Sequence, residues 1–255
     1  MKSARVILLV GAVVSAFAFW ALESVVGTSV IDALLGAFLM AAVPTLAVAQ
    51  VPVIGSAEIE RVPAYLSSIF TLCLVGGAAG VVGWLGGGPE SLGLVSLGWS
   101  ALIGWTLLGT AAALLLMVVF RSASVRLGLV DSRLLEELLP RTPGERRLFV
   151  WLSLAAGVGE ELAYRGYAIM LLAPALGPWP AAWLTSAVFG VMHAYQGLLG
   201  VLRTGLLGLL LAAIFLWSGS LWPAILAHTL LDIVAGLWLG DRLLVTRDDI
   251  APRKA

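Results

Sequence analysis

The chain has 255 residues, of which 60% are hydrophobic and 12% are charged, and its mean hydropathy is +1.03. Soluble domains are about 45–50% apolar and about 25% charged, so this composition excludes an ordinary soluble domain and predicts an integral membrane protein surrounded by lipid. The formal net charge is zero, and no basic patch or Gly-rich phosphate loop is present, so nucleic acid is not an expected partner. The lone cysteine, Cys73, excludes an intramolecular disulfide and a multi-cysteine metal site.

Eight apolar stretches predict transmembrane helices, each of which needs about 20 mostly apolar residues. The first stretch follows two basic residues, as a signal peptide would, but it is long and no small-residue cleavage site follows it. We therefore expect a retained helix and an all-α, polytopic membrane protein with about eight transmembrane helices. The seventh stretch is short. The predicted spans are residues 6–22, 33–53, 65–86, 92–120, 148–172, 181–197, 206–217 and 222–239.

The basic residues are distributed unevenly between the two sides of this arrangement. With the N-terminus inside, the outer loops are residues 23–32, 87–91, 173–180 and 218–221, and they contain no Lys or Arg. All basic residues except Arg165 fall in inner segments, which matches the positive-inside rule and predicts that both termini are cytoplasmic. An aromatic belt is expected from the tryptophans near the span ends, which are Trp20, Trp84, Trp151, Trp179, Trp217, Trp222 and Trp238.

The longest polar segment, residues 121–147, is on the predicted inner side. It contains a short amphipathic stretch that Asp131 or Ser132 can cap and that Pro140 ends. We predict a short helix on the inner membrane surface, and the alternative is a connector packed on the helix bundle. The apolar face of this stretch is formed by Leu134, Leu135, Leu138 and Leu139.

The chain shows no internal repeat, and we expect a single integral membrane domain over residues 1–255. Gly76 and Gly80 form a small-xxx-small pair, which is typical of close helix packing in membranes. The expected parts are four N-terminal spans in residues 1–120, the inner-side segment 121–147, the spans with the ionisable residues in 148–240, and an inner tail in 241–255.

Few ionisable side chains remain at membrane depth, and all of them are in the second half of the chain. Such residues are costly to bury in a membrane and usually mark a functional site. The set includes both histidines of the protein. These residues are Glu160, Glu161, Arg165, His193, His228 and Asp232.

Two of these residues are predicted to form an ion pair. Glu161 and Arg165 are four residues apart on a helix, so their side chains can pair and reduce the cost of burying both. The pair is either purely structural or an indirect support of the site. Glu160 lies about 100° around the helix from Glu161, so it can point elsewhere into the bundle.

The other ionisable residues come from two further helices. His228 and Asp232 share one face of the last span, where Asp232 could orient the imidazole. Phe189 and His193 share a face of the sixth span, and Phe189 is expected to be a packing residue. Three helices could therefore present Glu160, His193 and the His228–Asp232 pair to one interior cavity.

This set of side chains permits more than one chemistry. A carboxylate and a histidine can bind and deprotonate a water, and a further polar group can stabilise an oxyanion, which together allow amide hydrolysis without a Ser or Cys nucleophile. Alternatively, Glu160, His193 and His228 could bind zinc, although the helical H-E-x-x-H motif is absent. A proton- or ion-coupled transporter would also place such groups at mid-membrane, but the chain lacks paired inverted halves.

Three short motifs occur in order on three predicted spans: "EELAYRG" at residues 160–166, "FGVMH" at 189–193 and "HTLLD" at 228–232. Together they resemble the motifs of the CPBP intramembrane protease family, which groups type II CAAX prenyl endopeptidases with bacteriocin-processing and immunity-type membrane proteins. The family pattern is E-E-x-x-x-R, then F-x-x-x-H, then H-x-x-x-N/D. The resemblance covers residues 150–239, while the first half agrees only in being helical and membrane-spanning.

The resemblance implies an intramembrane endopeptidase that cleaves a membrane-associated or lipidated protein. Glu160 with His193 would activate the water, and His228 with Asp232 would form the oxyanion site. This glutamate mechanism requires no cofactor, and zinc is the alternative. The resemblance also favours a bacterial inner membrane, and a scaffold or immunity protein on the same fold is the alternative function. The supporting residues would be Glu161, Arg165 and Phe189.

One position departs from the prenyl endopeptidase branch, which has H-x-x-x-N where this chain has Asp232. An asparagine can donate a hydrogen bond to an oxyanion, whereas an ionised aspartate cannot donate and would repel the negative charge. Asp232 can donate only if it remains protonated; otherwise it orients His228 and leaves the imidazole as the donor. This difference argues for the broader bacterial membership over prenylated CAAX substrates.

Overall fold

The computed structural model describes residues 2–54 and 59–250, and within these ranges it contains helices and no strands. The predicted all-α fold is therefore confirmed. Four of the helical rods include a wider π-helical segment, at Ala21–Val26, Phe38–Ala42, Glu161–Ile169 and Ala235–Leu239. Short 3-10 turns occur at Pro89–Leu92 and Ala194–Gln196. The α-helices are α1 (Lys2–Trp20), α2 (Val30–Ala37), α3 (Val43–Ile54), α4 (Arg61–Gly87), α5 (Trp99–Leu127), α6 (Arg133–Glu137), α7 (Pro143–Glu160), α8 (Met170–Leu176), α9 (Pro178–Met192), α10 (Gly197–Ser218), α11 (Trp222–Val234), α12 (Gly240–Leu243) and α13 (Arg247–Ile250).

Six helical stretches in the described ranges are long and apolar enough to cross a membrane, which supports a polytopic integral membrane protein. The predicted number of eight spans stays a prediction, because α9 has only 15 residues and the rod that begins with α7 contains several charges. The seventh predicted span is part of the 22-residue helix α10. The six stretches are Ala4–Val26, Val30–Pro52, Arg61–Gly87, Trp99–Leu127, Ala194–Ser218 and Trp222–Leu239. The side chains expected in an aromatic belt are all exposed on the outside of the bundle, namely Trp20, Trp84, Trp151, Trp179, Trp217, Trp222 and Trp238.

Helix α7 begins at a capping box, which fixes where the helix that carries Glu160 starts. The Thr142 hydroxyl accepts a hydrogen bond from the backbone N–H of Glu145 (3.2 Å), and the Glu145 carboxylate accepts one from the backbone N–H of Thr142 (3.0 Å). Hydrogen bonds from the backbone N–H groups of Arg141 and Thr142 hold the pKa of Glu145 below its usual range. Pro143 occupies the first turn, where its missing N–H costs nothing. Helix α7 passes directly into the π-helical segment, so Glu160 and Glu161 lie at the junction.

Glycines allow two neighbouring helices to approach α7 closely near Glu160. A Cβ atom at Gly76 of α4 would lie 2.4 Å from the Cα of Gly159, and a Cβ at Gly157 would lie 2.1 Å from the hydroxyl oxygen of Thr229 in α11. Helices α4 and α11 therefore both pack closely against α7 just before the glutamate. Of the predicted small-xxx-small pair, Gly76 makes this close contact, whereas a Cβ at Gly80 would meet only Leu162 at an ordinary 3.8 Å.

We expect Gly76→Ala to destabilise the protein and Gly77→Ala to leave it unchanged or slightly more stable. The methyl group at Gly76 meets backbone atoms of Gly159, and such overpacking typically costs about 1–3 kcal/mol. The methyl at Gly77 has no neighbour within 4 Å, and alanine is favoured over glycine in a helix by about 0.5–1 kcal/mol. The midpoint of thermal unfolding in detergent measures the stability of each variant. Equal unfolding midpoints for the two alanine variants would contradict the close packing of α4 on α7.

The inner-side segment packs on the bundle. Helix α6 has only five residues, and Leu134 is buried. The Tyr65 hydroxyl donates a hydrogen bond to the carbonyl of Leu138, and Arg61 Nε donates one to the carbonyl of Leu139 (3.0 Å). Leu135, Leu138 and Leu139 line an interior cavity. These contacts are typical of a connector packed on the helix bundle, which was the alternative to a helix on the membrane surface.

Candidate active site

A cavity of about 670 Å³ lies between the helices and contains most of the predicted site residues. Its wall is largely apolar and includes side chains from α3, α4, α6, α7 and α9 to α12. The predicted residues that line it are Glu160, Phe189, His193, His228 and Asp232. The three helices predicted to converge on one cavity therefore do so.

Glu161 and Arg165 form the predicted ion pair directly behind this cavity. Arg165 Nη1 donates to Glu161 Oε1 at 2.8 Å, and the side chains are 0% and 1% exposed for Glu161 and Arg165. The guanidinium carbon lies 4.3 Å from the ring centroid of Phe189, a cation–π arrangement. Complete burial keeps the pair away from any substrate, so it supports the site from behind.

His228 lies between the two adjacent glutamates. Its Nδ1 is 2.8 Å from Glu161 Oε1, and its Nε2 is 3.7 Å from both Glu160 Oε2 and Asp232 Oδ2. The same oxygen of Glu161 accepts a hydrogen bond from Arg165, so Nδ1 of His228 is the donor in its contact with this carboxylate. Nε2 of His228 faces the other two carboxylates. As the sequence predicted, the two glutamates point to different places: Glu160 lines the cavity, whereas Glu161 lies behind it and binds Nδ1 of His228.

His193 is oriented by its own helix. Its Nδ1 is 2.8 Å from the backbone carbonyl of Phe189, and its ring centroid is 4.8 Å from that of Phe189. A carbonyl can only accept, so Nδ1 is the donor and Nε2 of the neutral ring is left as an acceptor. An acceptor nitrogen in the cavity is the form that a general base requires. Phe189 therefore packs against His193 and Arg165 and also lies near His228, with ring centroids 6.4 Å apart.

Residues 143–234 match the model of a protein family described as Rce1-like, type II CAAX prenyl endopeptidase. The segment is Rce1-like. It contains all three sequence motifs, so the predicted resemblance to this protease family is confirmed for this part of the chain. No curated protein and no solved structure matches the chain. The Rce1-like segment extends from α7 to α11, which are the helices that position every predicted site residue.

The sequence analysis missed a polar network in the wall of the cavity near His193. It placed Arg203 in an inner loop, but α10 is continuous from Gly197, and the Arg203 side chain is buried beside Asp131 (Nη1–Oδ1 2.8 Å). Of the two predicted caps for α6, Ser132 accepts from the backbone N–H of Leu134 (3.3 Å), and the second oxygen of Asp131 accepts from the backbone N–H of Val245 (2.8 Å). Arg203 and Asp131 are far apart in the chain, and no local pattern indicates their contact. The cavity-lining members of this network are Tyr195, Gln196, Arg203 and Thr204.

Zinc is the alternative for this site, with Glu160, His193 and His228 as its ligands. In residues 2–54 and 59–250, no group of three or more His, Cys, Asp or Glu side chains is arranged to hold a metal ion. Glu160, His193 and His228 line the same cavity without forming such a group. Whether zinc takes part stays a prediction for the chelator experiment.

Proposed function

We propose that the protein is an intramembrane endopeptidase that hydrolyses a peptide bond in a membrane-associated protein or a lipidated peptide. One observation carries the proposal: Glu160, His193, His228 and Asp232 line a single cavity within the segment that matches a protease family. The Rce1-like match supports protease activity in general, and the glutamate mechanism is our inference from the motif resemblance together with the side-chain geometry.

In the proposed mechanism, a water in the cavity is held by the Glu160 carboxylate and by Nε2 of His193. The water transfers a proton to this pair as its oxygen attacks the carbonyl carbon of the scissile peptide bond. The resulting tetrahedral intermediate has its oxyanion near His228 and Asp232. Its collapse breaks the C–N bond, and the proton taken from the water passes to the leaving amine. Glu161 and Arg165 hold His228 and Phe189 in position throughout.

For the substrate, the family match favours membrane-associated or prenylated proteins, and Asp232 in place of the branch's Asn favours the broader, bacterial part of the family. We propose a bacterial inner membrane as the location, with both termini in the cytoplasm. The distribution of basic residues supports this orientation.

The test of this function is cleavage of a membrane-anchored peptide library by the purified protein in liposomes. Wild type and Glu160→Ala are assayed side by side, each with and without a strong chelator. We expect cleavage by the wild type that survives the chelator and is absent in the variant, because the mechanism depends on a carboxylate base and on no metal.

Other outcomes would select the alternatives. Cleavage that the chelator removes and zinc restores would assign Glu160, His193 and His228 to a metal site and overturn the metal-free mechanism. A well-folded wild-type protein that cleaves no member of the library would favour the scaffold or immunity function. Ion-dependent uptake into the liposomes would favour a transporter.

A further inference from the structure

The proposed oxyanion site is surrounded by carboxylates. The Nδ1 proton of His228 is donated to Glu161, and its Nε2 lies 3.7 Å from both Glu160 Oε2 and Asp232 Oδ2, so a proton on Nε2 faces two acidic side chains as well as any substrate. Asp232 lies 3.7 Å from this nitrogen, and in its ionised form it repels a developing negative charge. Oxyanion sites depend on preorganised donors aimed at the place where charge develops. A further donor from another part of the cavity wall, away from these carboxylates, would therefore strengthen the site.

Tyr195 is in a position to supply this donor. It belongs to the 3-10 turn Ala194–Gln196, which begins directly after His193. Its half-buried side chain lines the cavity together with Glu160 and Asp232, and its ring centroid is 5.9 Å from that of His193. The Tyr195 side chain thus borders the same chamber as the proposed base.

The neighbouring Gln196 determines which hydrogen bond the Tyr195 hydroxyl can make. Gln196 Oε1 lies 3.3 Å from Arg203 Nη2 and 3.4 Å from Thr204 Oγ1. Since a guanidinium can only donate, the Gln196 atom that faces Arg203 must be the amide oxygen. The amide nitrogen of Gln196 therefore donates to the Tyr195 hydroxyl oxygen (3.1 Å). Since that oxygen is the acceptor, the Tyr195 proton remains available to donate. Within the described residues the structure records no protein acceptor for it.

A buried ion pair fixes this arrangement. Arg203 and Asp131 side chains are 8% and 6% exposed, and a backbone N–H from Val245 also binds Asp131. The guanidinium that orients Gln196 therefore cannot swing freely. Because the ion pair holds Gln196 and Gln196 occupies the acceptor side of the Tyr195 hydroxyl, the hydroxyl proton is directed away from Gln196. Oxyanion stabilisation requires donors that are oriented in advance in this way.

We propose that the Tyr195 hydroxyl donates a hydrogen bond to the scissile carbonyl oxygen as it becomes an oxyanion, and so supplies the donor that Asp232 does not. Its proton stays on the tyrosine throughout, because the role is hydrogen bonding and involves no proton transfer. This proposal rests on the proposed endopeptidase function and adds a catalytic residue that the family motifs do not contain.

The first test compares Tyr195→Phe with the wild type on the best peptide from the library. Removal of one oxyanion donor typically lowers kcat by about 10²–10³-fold, so we expect a fall of this size with KM nearly unchanged. Tyr167→Phe is the matched control, since it removes a hydroxyl that donates to Asp32 (2.8 Å) away from the cavity. Its kcat should equal that of the wild type. A kcat for Tyr195→Phe within twofold of the wild type would overturn the proposal.

A second measurement separates oxyanion binding from a structural role. The same peptide is prepared with a thioamide at the scissile bond, because sulfur is a weaker hydrogen-bond acceptor than oxygen. The ratio of amide to thioamide cleavage rates should be at least tenfold smaller in Tyr195→Phe than in the wild type and in Tyr167→Phe. This ratio does not depend on the fraction of folded enzyme, so partial misfolding does not affect it.

The outcomes distinguish this proposal from the one it rests on. If the wild type cleaves no peptide, the endopeptidase function fails, and the role of Tyr195 fails with it. If the wild type cleaves and both tyrosine variants show the wild-type amide-to-thioamide ratio, the endopeptidase function stands and Tyr195 does not contact the oxyanion.

Discussion

Glu160→Gln is expected to abolish peptide hydrolysis while the protein still inserts and folds. A glutamine has nearly the same shape but cannot accept a proton from the water, and loss of a general base typically lowers a rate by about 10²–10⁴-fold. The structure predicts little effect on folding, because the closest charged partner of Glu160 is the imidazole of His228 at 3.7 Å, beyond hydrogen-bond distance. Single-turnover cleavage and thermal unfolding in detergent measure the two effects separately.

The adjacent carboxylate provides a control for this experiment. Glu161→Gln changes a fully buried group that holds both Arg165 and His228, so it should lower the unfolding midpoint as well as the activity. His193→Ala should resemble Glu160→Gln, with loss of activity in a folded protein. A Glu160→Gln variant that keeps more than a tenth of the wild-type rate would remove Glu160 from the role of base.

The sequence predicted side-chain pairs well where both residues belong to the same helix. Glu161 and Arg165 are one helical turn apart, and so are His228 and Asp232, so helix geometry alone places each pair on one face. The cost of burying charge in a membrane then marks these few residues as a functional cluster. This reasoning predicted that Glu160, His193, His228 and Asp232 converge on one cavity, because helix periodicity and the burial of apolar surface decide which helix faces point inward.

The sequence could not predict contacts between distant parts of the chain. The hydrogen bond from His228 to Glu161 depends on how closely α11 approaches α7, which in turn depends on the missing side chain at Gly157. The Arg203–Asp131 pair joins α10 to the segment before α6, and a positive-inside pattern assigns both residues to aqueous loops. Such contacts follow from the three-dimensional fit of helices, which a one-dimensional pattern does not contain.

Arg165→Met is expected to cause the largest loss of stability among the site variants. The substitution leaves Glu161 fully buried with only His228 as a partner, and the guanidinium contact with Phe189 is lost as well. Removal of one partner of a buried ion pair typically costs about 3–5 kcal/mol, because the remaining charge is uncompensated. Activity should fall together with stability, since Glu161 and Phe189 position His228 and His193. Unfolding in detergent, followed by far-UV circular dichroism, measures the loss.

A double-mutant cycle with Glu161→Gln tests the cause of that loss. Each single variant leaves one buried charge without its partner, whereas Glu161→Gln with Arg165→Met removes both charges together. The double variant should therefore be more stable than the sum of the two single losses predicts, with a coupling in the range of 0.5–3 kcal/mol found for groups in direct contact. Strictly additive losses would show that packing of the long arginine side chain, and not its charge, stabilises the site. In that case Arg165→Met should be better tolerated than Arg165→Ala, because methionine keeps most of the buried apolar volume.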